Sequence, residues 1–129
     1  MSKTMSVSDR QPVGRVVALV PAHDEATTIR RAIAGLRSQT ATPDRIIVIP
    51  DNCTDDTAVI AATEGVEVRP TTGNADKKAG ALNQTLAAIL PDLVDDDVVL
   101  VQDADSILDA PFIQRALMRL IDPRYGAVG

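Results

Sequence analysis

Residues 16–36 of the chain, VVALVPAHDEATTIRRAIAGL, contain an apolar run, an acidic loop and a one-sided apolar pattern, in that order. The β-branched run Val16–Val20 predicts a strand that is buried on both faces and ends at Pro21. Behind the loop, four apolar residues recur at helical spacing: Ile29, Ala32, Ile33 and Leu36. They predict a helix over residues 26–38 with one face toward a core. A buried strand followed by such a helix is the repeating unit of folds with a parallel sheet.

The same order of elements continues along the chain. Three more strands are predicted, over residues 46–49, 66–70 and 98–101. The first and last of these are continuous apolar runs and should be buried, whereas the middle one alternates and should lie near an edge. Three further helices are predicted, over residues 58–64, between Asp76 and Pro91, and between Asp109 and Pro123. A fifth strand is predicted to start at residues 126–129.

This order of elements predicts an α/β fold of three layers, α/β/α, around a mostly parallel, open sheet. We expect one domain over residues 14–129, preceded by a flexible leader of residues 1–13. In such sheets, ligands bind beyond the carboxyl ends of the strands. The residues that directly follow each strand are therefore the candidates for function.

The composition excludes several kinds of partner. With a formal net charge of −5 and a pI near 4.7, the chain offers no basic face for a nucleic-acid backbone. No apolar run approaches the roughly 18 residues that span a bilayer, so no membrane segment is predicted. The single cysteine, Cys53, cannot form an internal disulfide, which suits a cytoplasmic protein.

Acidic residues follow three of the predicted strands. They are Asp24 and Glu25 after the first, Asp51 after the second, and Asp103 and Asp105 after the fourth. Carboxylates that converge on one edge repel one another unless hydrogen-bond donors or a cation balance them. Asp103 and Asp105 can reach one site and have no His or Cys companion, so their oxygens favour Mg²⁺ or Mn²⁺. A metal with few protein ligands completes its shell from substrate phosphates. The pattern therefore predicts a metal-bound diphosphate.

Two lysines are the candidate phosphate contacts, because the chain contains neither of the glycine-rich motifs that hold phosphate on backbone amides. Lys77 and Lys78 lie in the first turn of a predicted helix, where the helix dipole disfavours cations. Structural explanations remain open for several residues. Asp24 could cap the first helix, Asp51 could form a turn with Thr54, and the lysines could be a solvated helix start.

Four motifs in order resemble the family-2 inverting glycosyltransferases of the GT-A fold. They are Pro21-Ala22-His23-Asp24-Glu25, Asp51-Asn52-Cys53-Thr54-Asp55-Asp56-Thr57, Lys78-Ala79-Gly80-Ala81-Leu82-Asn83 and Asp103-Ala104-Asp105. The resemblance extends over residues 14–129 and implies the Rossmann-like half of that fold, which binds a nucleotide-diphospho-sugar, with UDP-sugars favoured. By the same resemblance, Pro21, Ala22, His23 and Glu25 would line the nucleoside pocket.

The resemblance also implies roles for the remaining candidates. Asp51 would accept a hydrogen bond from the uracil ring, and Lys78 would lie near the phosphates. Asp103 would face the ribose and join Asp105 in holding Mn²⁺ or Mg²⁺. The implied reaction is inverting transfer of a hexosyl or N-acetylhexosaminyl group to an acceptor hydroxyl, by a base expected beyond Gly129. The acceptor, a saccharide or a lipid, stays undefined.

Truncation of the chain, self-association and two alternative functions are the remaining expectations. The chain is expected to be a C-terminally truncated part of an enzyme that is cytoplasmic or lies at the cytoplasmic face of the membrane. Apolar faces that the remainder of the enzyme would cover are expected to favour self-association of the fragment. A non-catalytic module that binds nucleotide sugars, or a scaffold, is the alternative function. A receiver-type signalling domain is a weaker one, because it needs an aspartate after the third strand, where Arg69 and Pro70 stand.

Overall fold

The computed structural model describes residues 14–121 and contains four strands and four α-helices in alternation. Along the chain they are β1 Val16–Ala22, α1 Ile29–Arg37, β2 Arg45–Pro50, α2 Thr57–Thr63, β3 Glu67–Val68, α3 Lys77–Ile89, β4 Val98–Val101 and α4 Phe112–Ile121. A 3₁₀ turn, Leu90–Asp92, follows α3. The predicted leader, the end of the last helix near Pro123 and the predicted fifth strand lie outside the described residues.

The four strands form one parallel sheet in the order β3-β2-β1-β4. The chain moves outward from β1 to β3 and then returns to the other side of β1 to form β4. The point where the strand order reverses therefore lies between β1 and β4. The predicted fold class, a three-layer α/β arrangement with a parallel open sheet, is confirmed, as is the edge position of β3. No helix of the described part is long and apolar enough to cross a membrane.

The sheet has a hydrophobic core on each face. One face packs against α1, α2 and α4 through a cluster that includes Val20, Ile33, Ala61 and Ile113. The opposite face packs against α3 through a cluster that includes Leu19 and Ile89. Alternate residues of β1 enter the two clusters, which is why its apolar run is continuous rather than alternating.

Pro21 does not end the first strand, as the sequence predicted, because β1 continues to Ala22. The carbonyl of Leu19 accepts a hydrogen bond from the Gln102 amide at 3.0 Å, so the backbone of Leu19 faces β4. Two residues later the nitrogen of Pro21 faces the same side, but β4 has already ended at Val101. The missing N–H of the proline therefore removes no bond from the sheet.

The prediction that β4 is buried on both faces is wrong. Val98, Val99 and Leu100 are half-buried, and Val101 is 45% exposed. Within residues 14–121, β4 has β1 as its one strand neighbour and forms an edge of the sheet. An apolar run identifies a strand but does not say whether both of its sides are covered.

Candidate functional site

A cleft of about 630 Å³ opens at the carboxyl ends of β1, β2 and β4, beside the point where the strand order reverses. Its walls come from the loops after these strands and from the start of α3. The lining residues are Pro21, Ala22, His23, Glu25, Asp51, Asn52, Lys77, Lys78, Asp103, Ala104 and Asp105. Every residue predicted to bind nucleotide, sugar or metal is in this set. The structure therefore brings the predicted site residues together in one cleft.

Asp51 lies at the back of this cleft and is the most buried of its carboxylates, at 7% exposure. Its Oδ1 accepts hydrogen bonds from Thr71 Oγ1 at 2.9 Å, Asn74 Nδ2 at 2.8 Å and Asn52 Nδ2 at 3.2 Å. The turn with Thr54 that was the structural alternative for Asp51 does not form through this carboxylate within the described residues. Donors from its own loop and from the loop after β3 balance the charge instead.

Asp24 does not cap α1, which has no side-chain cap bond at its N-terminus. Its carboxylate reaches across to the loop after β2, where Oδ1 accepts from the amide of Thr54 at 2.6 Å and from that of Asp55 at 3.3 Å. In return, Asp55 Oδ2 accepts from the amide of Ala26 at 3.1 Å. These reciprocal bonds hold the segment before α1 as a loop, and α1 therefore begins at Ile29 rather than at residue 26.

The thiol and carboxylates of Asp24, Cys53 and Asp55 lie close enough together to hold a cation in principle. Their ligand atoms are already used. The Cys53 sulfur accepts from the Asp24 amide and donates to the Ala22 carbonyl, both at 3.3 Å. The pKa of Asp55 is lowered mainly by the hydrogen bond from the Thr57 hydroxyl, and further by those from the amides of Thr57 and Ala26. This group joins two loops and is better explained as structural.

His23 lies on the rim of the cleft and is largely exposed. Its Nδ1 donates to the carbonyl of Asp51 at 2.8 Å, and its Nε2 lies 3.7 Å from a carboxylate oxygen of Asp24. The bond to the Asp51 carbonyl, followed by the nearby acids, raises the pKa of His23 above its usual value. The cleft therefore gains a histidine that is more often protonated near neutral pH than a free one.

Lys78 and Asp103 face one another across the cleft and form an ion pair. Both side chains are about half exposed, at 53% and 47%, so the pair remains in contact with solvent. Lys77 also lines the cleft. It has a φ of +53°, which places the break between loop and helix at this residue. Together with protonated His23, the two lysines are the cations that line the cleft.

Asp105 is exposed, and its carboxylate forms no hydrogen bond or ion pair with any residue between 14 and 121. The turn that carries it is braced from behind. Gln102 donates from Nε2 to the carbonyl of Ser106 at 2.8 Å, and the Ser106 amide donates to the carbonyl of Asp103 at 3.1 Å. Gln102 is buried, at 4% exposure. A buried side chain thus holds the turn that presents Asp103 and Asp105.

Backbone strain is concentrated at this cleft. The non-glycine residues with positive φ in the described part are Asp24, Asn52 and Lys77, at 51°, 51° and 53°. Asp24 and Asn52 lie in loops beside the cleft, and Lys77 is the first residue of α3, which forms part of its wall. Such conformations are uncommon for residues with a side chain, and they cluster at functional sites because the surrounding structure must hold them.

Sequence reasoning missed the polar residues that support the site from behind. Thr57, Asn74 and Gln102 are buried, and each bonds to a loop that carries a site residue. Thr57 lies in a motif quoted above, but Asn74 stands in a polar loop with no periodic pattern. Gln102 directly precedes Asp103, so a polar residue at the end of an apolar strand was the one signal that could have identified it.

The family model described as glycosyl transferase family 2 matches residues 17–129 of the chain. No curated protein sequence matches the chain significantly. Among solved structures, glucosyl-3-phosphoglycerate synthase from Mycobacterium tuberculosis in complex with Mn²⁺, UDP and phosphoglyceric acid is similar with 26% identity and a TM-score of 0.63, over 84% of this chain and 39% of that one. The same enzyme with Mg²⁺ and UDP gives 27% identity and a TM-score of 0.63, over 84% and 40%.

A further solved structure, that of S. aureus TarS, has 18% identity and a TM-score of 0.69, over 84% of this chain and 20% of that one. At this identity the likeness shows a shared fold. The chain spans about two fifths of the length of the synthase structures that it matches.

Proposed function

This chain belongs to glycosyl transferase family 2, and we propose that it forms the donor-binding part of a metal-dependent, inverting glycosyltransferase. Its ligand would be a nucleotide-diphospho-sugar, with a UDP-sugar favoured and a hexosyl or N-acetylhexosaminyl group to be transferred. The synthase to which it is similar has been solved with UDP together with Mn²⁺ or Mg²⁺. The receiver-type alternative is withdrawn, because the family assignment covers the same residues.

The observation that carries this proposal is the single cleft in which loops after three strands meet. A volume of about 630 Å³ lies within the range of small-molecule sites, roughly 300–1,000 Å³. Its chemistry changes from one end to the other, with the buried carboxylate of Asp51 in one region and the charged groups of Lys78, Asp103 and Asp105 in another. A ligand with a hydrogen-bonding base and a diphosphate would match that arrangement.

The donor atoms at the turn after β4 suit a hard divalent cation. Asp103 and Asp105 offer carboxylate oxygens at an exposed rim, and that of Asp105 is not engaged by residues 14–121. Mg²⁺ binds through one or two carboxylates, and phosphates and water complete its shell. We therefore propose that Asp105, joined by Asp103, would hold Mn²⁺ or Mg²⁺. A bound cation would neutralise the charge that develops on the departing nucleoside diphosphate.

The other residues of the cleft would bind and orient the donor. Asp51 would accept a hydrogen bond from the base, and Asp103 would face the ribose. Lys78 would contact the phosphates and exchange its ion pair with Asp103 for one with the ligand. Pro21, Ala22, His23 and Glu25 would form the wall beside the nucleoside. We assign no catalytic base to the described residues.

Titration calorimetry with UDP in the presence and absence of Mn²⁺ tests this proposal. We expect Mn²⁺-dependent binding that Asp105→Ala weakens about 10- to 100-fold, because a hydrogen bond or ligand contact to a charged group contributes about 1.5–3 kcal/mol. Asp95→Ala is the matched control, because Asp95 is an exposed aspartate outside the cleft. If the wild-type chain fails to bind UDP at millimolar concentration, the donor site is refuted and the scaffold alternative is favoured.

The setting of the protein is a separate proposal. We propose a cytoplasmic location, either free or at the cytoplasmic face of the membrane. The single cysteine is compatible with it, and the nucleotide-sugar ligand proposed above would suit it. Fractionation of cells that express the protein, followed by immunoblotting, would test it, and recovery in the extracellular fraction would contradict it.

A further inference from the structure

Asn74 connects the two ends of the cleft. Its Nδ2 donates to Asp51 Oδ1 at 2.8 Å and to the carbonyl of Lys77 at 2.7 Å. Its Oδ1 accepts from the amide of Asp76 at 3.0 Å, and its own carbonyl accepts from Asn52 Nδ2 at 2.9 Å. A single buried amide thus bonds to the acid proposed to bind the base and to the start of the helix that carries the lysines.

The start of α3 is shaped to fit this side chain. A Cβ atom added to Gly80 would lie 1.8 Å from Asn74 Oδ1 and 2.8 Å from its Cγ. Gly80 does not have a positive φ, so its backbone conformation is open to any residue. Since alanine is favoured over glycine inside a helix by about 1 kcal/mol, the glycine is explained by the space that Asn74 needs.

The same contacts decide which oxygen of Asp51 is available. Oδ1 already accepts from Asn52, Thr71 and Asn74, whereas Oδ2 accepts from no residue between 14 and 121. Oδ2 is also not among the buried side-chain atoms that lack a partner. A carboxylate held in this way presents one free acceptor to the cleft that it lines.

We propose that Asn74 is a positioning residue that makes the cleft select nucleobases with a ring N–H donor, by fixing the Asp51 carboxylate with one oxygen free. This inference rests on the proposed function, since it assumes that a nucleoside diphosphate enters the cleft. Uracil presents a ring N–H, whereas the matching ring nitrogen of cytosine is an acceptor and would face the carboxylate unfavourably. A site that uses a buried polar group in this way rejects the ligand that cannot pair with it.

Competition between UDP and CDP, followed by calorimetry in Mn²⁺ buffer, measures this selectivity. We expect the wild-type chain to prefer UDP by about 10- to 100-fold, the range that one hydrogen bond to a charged group supplies. In Asn74→Ala the ratio should fall to a few-fold, because the carboxylate can rotate. Asn74→Asp should bind UDP still more weakly, since it keeps the acceptor for Asp76 but places a second charge beside Asp51.

Two neighbouring threonines provide a matched pair. The hydroxyl of Thr71 donates to Asp51 Oδ1, whereas that of Thr72, one residue later, makes no hydrogen bond within the described residues. Thr71→Val should lower the preference for UDP, and Thr72→Val should leave it unchanged. This pair carries the test if Asn74→Ala fails to fold.

Gly80→Ala supplies a steric test of the same contact. It should lower the UDP preference in the wild-type background by displacing Asn74. It should have less further effect in the Asn74→Ala background, where the two nearest atoms, Oδ1 and Cγ of Asn74, are gone and the Cβ of Asp76 remains at 3.0 Å. Such non-additivity is expected of residues in direct contact.

Different results would refute the donor site and the positioning role of Asn74. If the wild-type chain binds no UDP, the proposed function and this inference are both overturned. If it binds UDP in preference to CDP, and a folded Asn74→Ala and Thr71→Val keep the wild-type ratio, the donor site stands and the positioning role of Asn74 is refuted.

Discussion

Replacing Lys78 with methionine should separate phosphate binding from base binding. Methionine keeps most of the length of the side chain but removes the charge that faces Asp103. We expect Lys78→Met to weaken binding of UDP and to leave binding of uridine, which has no phosphate, unchanged. Asp51→Asn should weaken both, because Asp51 lies in the other region of the cleft.

The size of the effect follows from the exposure of the ion pair. A charge-assisted hydrogen bond contributes about 1.5–3 kcal/mol. To contact a phosphate, Lys78 must leave Asp103, and a pair whose side chains are 53% and 47% exposed contributes at most about 1 kcal/mol. Even at this full cost, the net contribution is about 0.5–2 kcal/mol, which corresponds to roughly a 2- to 30-fold weaker Kd for UDP.

Titration calorimetry with UDP, and chemical-shift titration with uridine, would measure both affinities at low and high salt. Wild-type affinity for UDP should fall as salt rises, and this dependence should be weaker in Lys78→Met. Arg31→Met is the control for loss of a positive charge, because Arg31 is exposed on α1, outside the cleft. An unchanged affinity for UDP, or an equal loss for uridine, would refute the assignment of Lys78 to the phosphates.

Three further results are expected. His23→Gln should lower the free energy of unfolding more at pH 5.5 than at pH 8.5 in urea titrations. The raised pKa of His23 stabilises the fold fully below the pKa of a free histidine, about 6.5, and this contribution is lost as the pH rises through the higher pKa of the folded state. An equal effect at both pH values would contradict this. Gln39→Leu should lower the free energy of unfolding by about 2–3 kcal/mol. The buried side chain of Gln39 donates a hydrogen bond to the Asp109 carbonyl at 2.7 Å and accepts one from the Ile113 amide at 3.0 Å, and leucine can make neither. An unchanged urea midpoint would refute this. Self-association of the chain should appear in light scattering as the concentration rises. It should diminish in Val101→Lys, because Val101 is 45% exposed on an edge strand. A monomer at every concentration would exclude self-association.

The order of the elements and the position of the candidate site could be predicted from the sequence because both depend on local patterns. Runs such as Val16–Val20 identify strands by composition, and the alternation of strands with helices fixes a parallel sheet. In a parallel sheet all carboxyl ends lie at one edge. Acids that are distant in sequence, such as Asp51 and Asp105, are therefore brought to the same cleft by topology alone.

The partners of each side chain could not be predicted in the same way. Asp24 has the position of a cap for α1, yet it bonds to Thr54 and Asp55, because the loop after β2 offers free amides at the right distance. Lys78 was predicted to lie near phosphates, but its pairing with Asp103 depends on how α3 crosses the sheet. Contacts between loops depend on distances of a few ångströms, which periodicity does not encode.

The two ends of the cleft are supported in different ways, and this difference bears on how the site would work. Asp51 is 7% exposed and is held by donors from the loops after β2 and β3, so its orientation does not depend on a ligand. Lys78 and Asp103 are half exposed and neutralise one another, so a charged ligand must replace this pair with new contacts. Preorganised groups supply selectivity because they do not adapt to the wrong partner, whereas solvated charges adapt at little cost. The base should therefore determine which nucleotide is accepted, and the diphosphate with its cation should add affinity that varies with salt and metal.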